Sequence, residues 1–397
     1  MIERACPNPR AAHGCSWCFL ALLLVLVSCT HDAREPQFYE AVFGTEPTTV
    51  ILVERVDSTW VVCNGAERIR LRPQEQEAYA VPVFGGSWNG SWEGGEWVGF
   101  WTDSLRSADY KVPLTLKPIL DQGLKPHRSE RPDTSFWATT EGLLVMATRG
   151  DSVWATISTP TGDYRYLAGK NHHKKLVFSN FDGAHLFHFE AHLKGDSLVN
   201  GQFLSGTHYR TAFSGRRLAS MPTTWKSATQ AATAKELTFS GIDARGDTMH
   251  WSSAVLENNG KKGLVLDVMG TWCPNCMDEA RLLREFASDY PEVQFLSLAF
   301  ERSTGADALA RLQAFRSEME LPWEVLLGGK ASKTEAANVL SVVDTVRSFP
   351  TTIFWPLGGE PTIHQGFNGP ATGEGFEVER AFFRSELNRI SGRLESR

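Results

Sequence analysis

The sequence predicts two architectures in tandem, an antiparallel all-β part (sandwich or barrel) followed by an α/β part. Three observations carry this. From Phe38 to about Leu218, short runs of alternating apolar and polar residues recur with no long helical stripe. From about Leu237 onward, strand-like apolar runs alternate with helical patterns, the rhythm of a sheet covered by helices. Between them, Arg216 to Lys235 is rich in Ser, Thr, Ala and Gln with Pro222 near its start, the composition of a linker. The expected division is a leader over 1–28, a tether over 29–37, the β-rich domain over 38–218, a linker over 219–235 and the α/β domain over 236–397.

The chain has 397 residues, is 42% hydrophobic and 22% charged, and carries a formal net charge of −6. That is the composition of a globular protein of two or three domains, without the basic footprint that nucleic-acid binding requires. Its first 28 residues differ: Arg4 and Arg10 precede an apolar core from Trp17 to Val27, too short to span a bilayer comfortably. Leu26-Val27-Ser28-Cys29 then resembles a bacterial lipobox, which implies cleavage before Cys29 and acylation of its sulfur; more than one acyl chain anchors stably to a lipid membrane. The competing reading is a cleaved secretory signal followed by an incidental cysteine. Thr30 at the next position leans towards an outer-membrane address without deciding between the two membranes.

Of seven cysteines, Cys6, Cys15 and Cys18 leave with the leader. Cys29, Cys63, Cys273 and Cys276 remain, so no framework of structural disulfides follows. Cys63 lies in the apolar run Thr59 to Cys63 and reads as a buried, inert thiol; a third redox cysteine there would lack a partner.

In the β part, Val50–Val56 and Thr59–Cys63 flank Asp57-Ser58 as one hairpin, and Ala184–Leu193 with Ser197–Leu204 flank Lys194-Gly195-Asp196 as another. Phe187, Phe189, Ala191 and Leu193 then face a core. Further strands are expected at Ala78–Phe84, Glu96–Thr102, Tyr110–Leu116, Leu143–Thr148, Val153–Ser158 and Lys175–Ser179. Trp88, Trp92, Trp97 and Trp101 are either core or an exposed row able to stack on sugars or peptides. His188, Glu190 and His192 share the opposite, polar face of their strand, where a solvated surface competes with a metal bridge.

The chemistry concentrates in Gly263 to Phe286. Leu264 to Met269 is a strand buried on both faces, interrupted only by Asp267; Gly270 and Thr271 turn the chain. From Cys273 the apolar spacing becomes helical, through Cys276, Ala280, Leu283 and Ala287. Cys273-Pro274-Asn275-Cys276 therefore opens a helix, where unpaired N–H groups and the helix dipole favour a thiolate. Pro274 suits the first helical turn, since its missing N–H has no intrahelical role there. Cys273, flanked by Trp272, is expected to be the exposed nucleophile, with Cys276 one turn further in to attack the mixed disulfide. Half a zinc site, a structural disulfide and a peroxidatic cysteine are the rival readings. The first lacks a second ligand pair, and the third lacks the Pro-x3-Thr-x2-Cys pattern, because Leu266 and Gly270 stand in its place.

This stretch resembles thioredoxin-fold proteins, specifically the envelope-anchored TlpA/ResA-like thiol:disulfide oxidoreductases, over about 160 residues from Leu237 to the C-terminus. The resemblance implies that Asp267 is the buried carboxylate accepting a proton from the inner cysteine. It also implies that Glu279 is the acidic residue characteristic of ResA-like proteins, and that Ser348-Phe349-Pro350-Thr351-Thr352 is the loop whose cis-proline faces the dithiol. Leu237 to Trp251 matches the hairpin this branch adds. Gly162 to Leu167 and Ser179 to His185 look like segments in the β-rich portions of TlpA-like lipoproteins of Bacteroidota, which names no chemistry. After the active-site helix, the expected order is a strand Val293–Phe300, a helix Ala306–Met319, a strand Trp323–Leu327, a helix Thr334–Leu340, strands Thr351–Trp355 and Thr362–Gln365, and a helix from Phe376 to Ile390.

Two functions follow from these readings. The first is a membrane-tethered thiol:disulfide oxidoreductase without a cofactor, a reductase of disulfide-bearing envelope proteins. It would face the periplasm and draw on a membrane electron donor, since the envelope is oxidising. The alternative is a ligand- or glycan-binding lipoprotein that uses the β-domain, with the α/β part as scaffold.

Overall fold

The computed structural model describes residues 37–119, 132–222 and 228–393. Cys29, the leader and nearly all of the expected tether lie outside these residues.

The described chain folds into three sheets. The first is antiparallel, in the order Glu67–Arg70, Thr59–Asn64, Thr49–Val56, Gln37–Phe43, Lys111–Pro118, Glu96–Thr102, Ser87–Glu93, Ala78–Ala80 and Arg72–Pro73. Its two edges are consecutive in sequence, joined through Leu71, whose N–H bonds the Trp60 carbonyl at 2.8 Å. The sheet thereby curls back on itself, which removes free edges. Aromatic rings fill it: Trp60, Trp88, Trp97 and Trp101 are fully buried and Phe43 packs against Trp88, Trp101 and Phe181. Of the tryptophan row, Trp88, Trp97 and Trp101 are core and Trp92 is half-buried against it, so the row is not an exposed platform.

The second sheet closes. Gly142–Arg149, Asp133–Thr139, Tyr209–Leu218, Ser197–Ser205, Leu186–Lys194, Lys175–Phe181, Leu167–His172 and Ser152–Thr159 pair in that order, and Ser152–Thr159 also pairs with Gly142–Arg149. The result is a barrel in which Phe178, Phe189, Phe203 and Phe213 interlock. The expected hairpin about Gly195 is present, with Phe189 and Ala191 buried and Phe187 and Leu193 half-buried. Its other face is not the solvated surface that alternation suggests. His188 is 2% exposed, because this part of the barrel packs on the first sheet, with the neighbouring Ser179 Oγ donating to the Val50 carbonyl at 3.1 Å. His192 remains exposed and is separated from Glu190 by a register shift, so the three side chains do not form one site.

The third sheet runs Ala228–Ala231, Thr362–Gln365, Thr351–Pro356, Gly263–Met269, Val293–Glu301, Glu324–Lys330, Phe239–Ile242 and Thr248–Trp251. Gly263–Met269 sits centrally, parallel to Val293–Glu301 and antiparallel to Thr351–Pro356. Every one of its residues is buried, Asp267 included, as a central strand covered on both faces requires. Helices Pro274–Ala287, Gly305–Glu318, Lys333–Val339 and Glu374–Ser391 follow the expected order. Two boundaries move: Gln37, expected in the tether, already pairs with Arg55, and Ala228–Ala231, inside the expected linker, pairs with Thr362–Gln365. A short polar segment costs little entropy to add to an edge whose partner is already rigid.

The described residues cluster as one compact unit. One hydrophobic cluster runs from the first sheet through Phe181, Ala184 and Leu186 of the barrel to Met277, Ala280 and Leu283 of the active-site helix. Among the described residues, no helix is long and apolar enough to cross a membrane.

Candidate functional site

Cys273 and Cys276 are disulfide-bonded, with Cα atoms 5.3 Å apart. Cys273 is the N-cap of the Pro274–Ala287 helix, Pro274 occupies its first turn, and the Cys276 N–H lies 3.2 Å from Cys273 Sγ. A thiolate on Cys273 would thus inherit a backbone donor and the positive end of the helix dipole. The preceding loop is held firmly: Thr271 N–H and Oγ1 donate to the Glu301 carboxylate at 2.7 and 2.8 Å, and Trp272 Nε1 donates to the Phe300 carbonyl at 2.9 Å.

The Phe349–Pro350 peptide is cis, and the Phe349 carbonyl oxygen lies 3.5 Å from Cys273 Sγ. Phe349 meets the Trp272 ring edge-on at 5.6 Å. Thr351, fully buried, ties the loop by donating to the Ser348 carbonyl at 2.8 Å. Trp272, Pro274, Asn275 and Cys276 thus stand on one loop at Cys273, and Phe349, Pro350 and Thr351 on the other.

The strand that leads to the Cys273 loop and the helix that leaves it supply an acid pair, Asp267 and Glu279. Glu279 follows Cys276 by three residues and shares its helix face. Its Oε1 accepts from Thr352 Oγ1 at 2.7 Å, while Asp267 Oδ2 accepts from Ser297 Oγ at 3.0 Å. The two carboxyls are wholly buried and within hydrogen-bonding reach of each other, and among the described residues no other donor reaches Asp267 Oδ1 or Glu279 Oε2. Burial pushes Asp267 up to about 7; burial, then the Asp267 charge, raises Glu279 well above the carboxylate range. Two unneutralised carboxylates this close cannot both ionise, so the pair holds a proton near neutrality. The row continues across the sheet, where Thr352 pairs with His364, whose Nε2 lies 2.8 Å from the Glu379 carboxylate.

The other side of the helix mouth was not legible as a site. Arg165, from the barrel, is 2% exposed and adopts a left-handed φ of 57°. Its guanidinium donates to the Pro274 carbonyl at 2.8 Å, pairs with Asp278 at 2.7 Å, and also binds Glu67 of the first sheet. Burial opposes its charge, but Asp278 and Glu67 more than offset this and hold it firmly cationic. Asp163 accepts from the Gly369 and Arg165 N–H groups, yet burial, and then the Asp278 charge, pushes it up to about 7. The only sequence signal was the run Gly162 to Leu167, in which Arg165 stands between two tyrosines.

The barrel also roofs the dithiol. A Cβ on Gly162, whose φ is +139°, would fall 2.0 Å from Asn275 Nδ2, so the Ser152–Asp163 hairpin touches the Cys-Pro-Asn-Cys loop. Cys273, expected to be exposed, is only 6% so. It opens instead into a cleft of about 700 Å³ between barrel and α/β layer, walled by Tyr164, Phe187 and Phe203 opposite Trp272 and Phe349. Cys63 is buried as expected, and burial pushes its thiol up to about 11.

No family model matches the chain, and no curated protein matches it in sequence. Among solved structures, it is similar to a secreted Mycobacterium tuberculosis disulfide oxidoreductase homologous to E. coli DsbE, at 19% identity over 38% of this chain and 95% of that one, with a TM-score of 0.28. It is also similar to the exposed lipoprotein thioredoxin of Streptococcus pneumoniae, at 20% identity over 38% of this chain and 98% of that one, with a TM-score of 0.26. A third is the thioredoxin domain of a thiol-disulfide oxidoreductase from Bacteroides vulgatus, at 16% identity over 40% of this chain and 99% of that one, with a TM-score of 0.27. Likeness of this degree assigns no activity, and the chemistry is read from the site itself. The structural neighbours of this chain are thioredoxin-like thiol:disulfide oxidoreductases.

Proposed function

We propose that the protein is a thiol:disulfide oxidoreductase working as a reductase in the bacterial envelope, tethered through an acylated Cys29. The observation that carries this is a Cys-Pro-Asn-Cys disulfide at the mouth of the Pro274–Ala287 helix, which also carries Glu279 of a buried carboxyl pair with Asp267. In the reduced protein, the Cys273 thiolate attacks a substrate disulfide and expels one thiolate. Cys276 then loses its proton to the Asp267–Glu279 pair and attacks Cys273 Sγ, which releases the second thiolate and closes the Cys273–Cys276 bond. Phe349, held by the cis bond to Pro350 and by the buried Thr351, forms the rim beside which the substrate lies. A membrane electron donor restores the dithiol.

The test is a Cys276→Ala variant, which should stall as a mixed disulfide through Cys273 with its natural substrate. Absence of any adduct would sink the reading. A midpoint potential above about −180 mV, typical of protein disulfide isomerase, would reverse the direction and leave the dithiol chemistry standing. Mass spectrometry of the mature N-terminus tests the anchor: an unmodified residue at or after position 29 removes it.

A further inference from the structure

The cleft over Cys273 is built on one side by the barrel, so whatever reaches the sulfur must fit between two walls. The Ser152–Asp163 hairpin, in contact with Asn275, forms one wall, and Cys273 is only 6% exposed, so a disulfide must enter the cleft to meet its sulfur. Its volume, about 700 Å³, falls within the roughly 300–1,000 Å³ of small-molecule sites. The walls supply aromatic rings, with Phe187 and Phe203 on the barrel side and Trp272 and Phe349 on the other.

The charges in the cleft are unevenly matched. Each of its acids is engaged: Glu141 by the Tyr164 hydroxyl at 2.9 Å, Asp182 by His185 at 3.1 Å and by two backbone N–H groups, and Asp163 by the N–H groups of Gly369 and Arg165. Arg302 is not. It is exposed, lies over the Trp272 ring at 4.7 Å, and among the described residues makes no ion pair. The acids nearest to it, Asp103 and Glu301, are engaged by Arg106 and by Thr271. Arg106 itself reaches into the same cleft, with Nη1 2.6 Å from His208 Nε2. Burial, Arg106, His185 and Arg302 together hold His208 below its ordinary value, which marks a positive field beside the dithiol. A guanidinium stacked on an indole and free at its edge is suited to a carboxylate.

Resting on the disulfide-exchange reading above, we propose that the roofed cleft selects low-molecular-weight disulfides bearing a carboxylate, held by Arg302 beside Trp272, over disulfides embedded in folded proteins. The electrons balance within one turnover. The Cys273 thiolate attacks one sulfur of RS–SR′, the S–S bond breaks and R′S⁻ departs to be protonated. Cys276 then displaces RS⁻ from Cys273, so the substrate is reduced to two thiols while the protein dithiol is oxidised by the same two electrons.

The test is single-turnover oxidation of the pre-reduced full chain, followed by loss of protein thiols. Three probes are used: oxidised glutathione (small and anionic), bis(2-hydroxyethyl) disulfide (small and neutral) and insulin (a folded protein disulfide). The expected order places oxidised glutathione at least about tenfold above each of the others, a difference one well-formed charge-assisted contact supplies. Arg302→Gln should lower the ratio of glutathione to neutral rates about tenfold, whereas Arg302→Lys, which keeps the charge, should stay within about threefold of the native ratio. Insulin reacting as fast as oxidised glutathione, or an Arg302→Gln ratio within about twofold of native, would overturn the proposal while the exchange chemistry stood. Reaction with none of the three would remove both.

Discussion

Asp278 and Glu279 are neighbours in the active-site helix, both buried, and each turns to a second buried carboxyl, but the two clusters are opposite in kind. Glu279 meets Asp267 on the central strand with only hydroxyl donors around it, Ser297 and Thr352. Asp278 faces the barrel, where Arg165 pairs with it and with Glu67 while Asp163 stands alongside. Without a cation, the first pair must keep a proton and can exchange it near neutrality, as a dithiol that gains and loses protons requires. With a cation, the second is an ionic joint that fastens barrel, first sheet and redox helix together. Each cluster holds a carboxyl pushed up to about 7, Asp267 in the first and Asp163 in the second, but only the second is built around a cation.

The largest expected effect breaks the joint. Arg165→Met removes the counter-charge of Glu67 and leaves Asp278 only its more exposed pair with Arg281, and should cost about 3–5 kcal/mol of unfolding free energy. Urea unfolding at pH 7 measures this; a loss within about 0.5 kcal/mol, the range of ordinary surface changes, would show that the joint is not what holds the layers.

Next in size is the titrating pair. Asp267→Asn should slow resolution of the mixed disulfide about 10²-fold, the lower end for a lost general base, and its formation much less. Quenched single turnovers separate the two steps, and equal slowing would leave Asp267 a purely structural role. The same variant has a stability signature. Asp267 sits near 7 in the folded chain against 3.8 for an ordinary carboxyl, so folding takes up a proton between these values. Its contribution is therefore fully present below about pH 4 and is lost as pH rises through about 7. Across that window Asp267→Asn should flatten the fall of stability with pH by up to about 1.4 kcal/mol per pH unit. Asp163, also near 7, should give a second change of the same sign in Asp163→Asn, without the slowed resolution.

A smaller change probes the roof. Gly162→Ala places a methyl against Asn275 at a φ unfavourable to any side chain, and should cost about 1–3 kcal/mol. It should also raise Cys273 exposure, read as faster alkylation of the reduced protein. The smallest expected effect is at Cys63, whose buried thiol should resist iodoacetamide at pH 8 while the reduced dithiol is modified. Comparable labelling of Cys63 would show that the first sheet opens.

What the sequence determined by itself was local. The apolar strand from Leu264 to Met269, the change of period at Cys273, Pro274 in the first turn and Glu279 one turn past Cys276 all follow from spacing along a few residues. That spacing sets which helix face each side chain occupies. The cis-proline loop and Asp267 were legible through resemblance to a family in the same stretch. The alternation in the barrel hairpin was legible too, but its solvent face was not: His188 looks polar and outward in sequence and is buried, because a second sheet covers it. Only the tertiary structure decided that the dithiol is roofed, that the tryptophan row is not an exposed platform and that Arg165 stands at the mouth of the active-site helix. Arg165 and Pro274 are 109 positions apart, and no local pattern records that pairing. A buried charge is tolerated only where its partners arrive, and closing the barrel against the helix is what brings Glu67, Asp278 and the Pro274 carbonyl to one guanidinium.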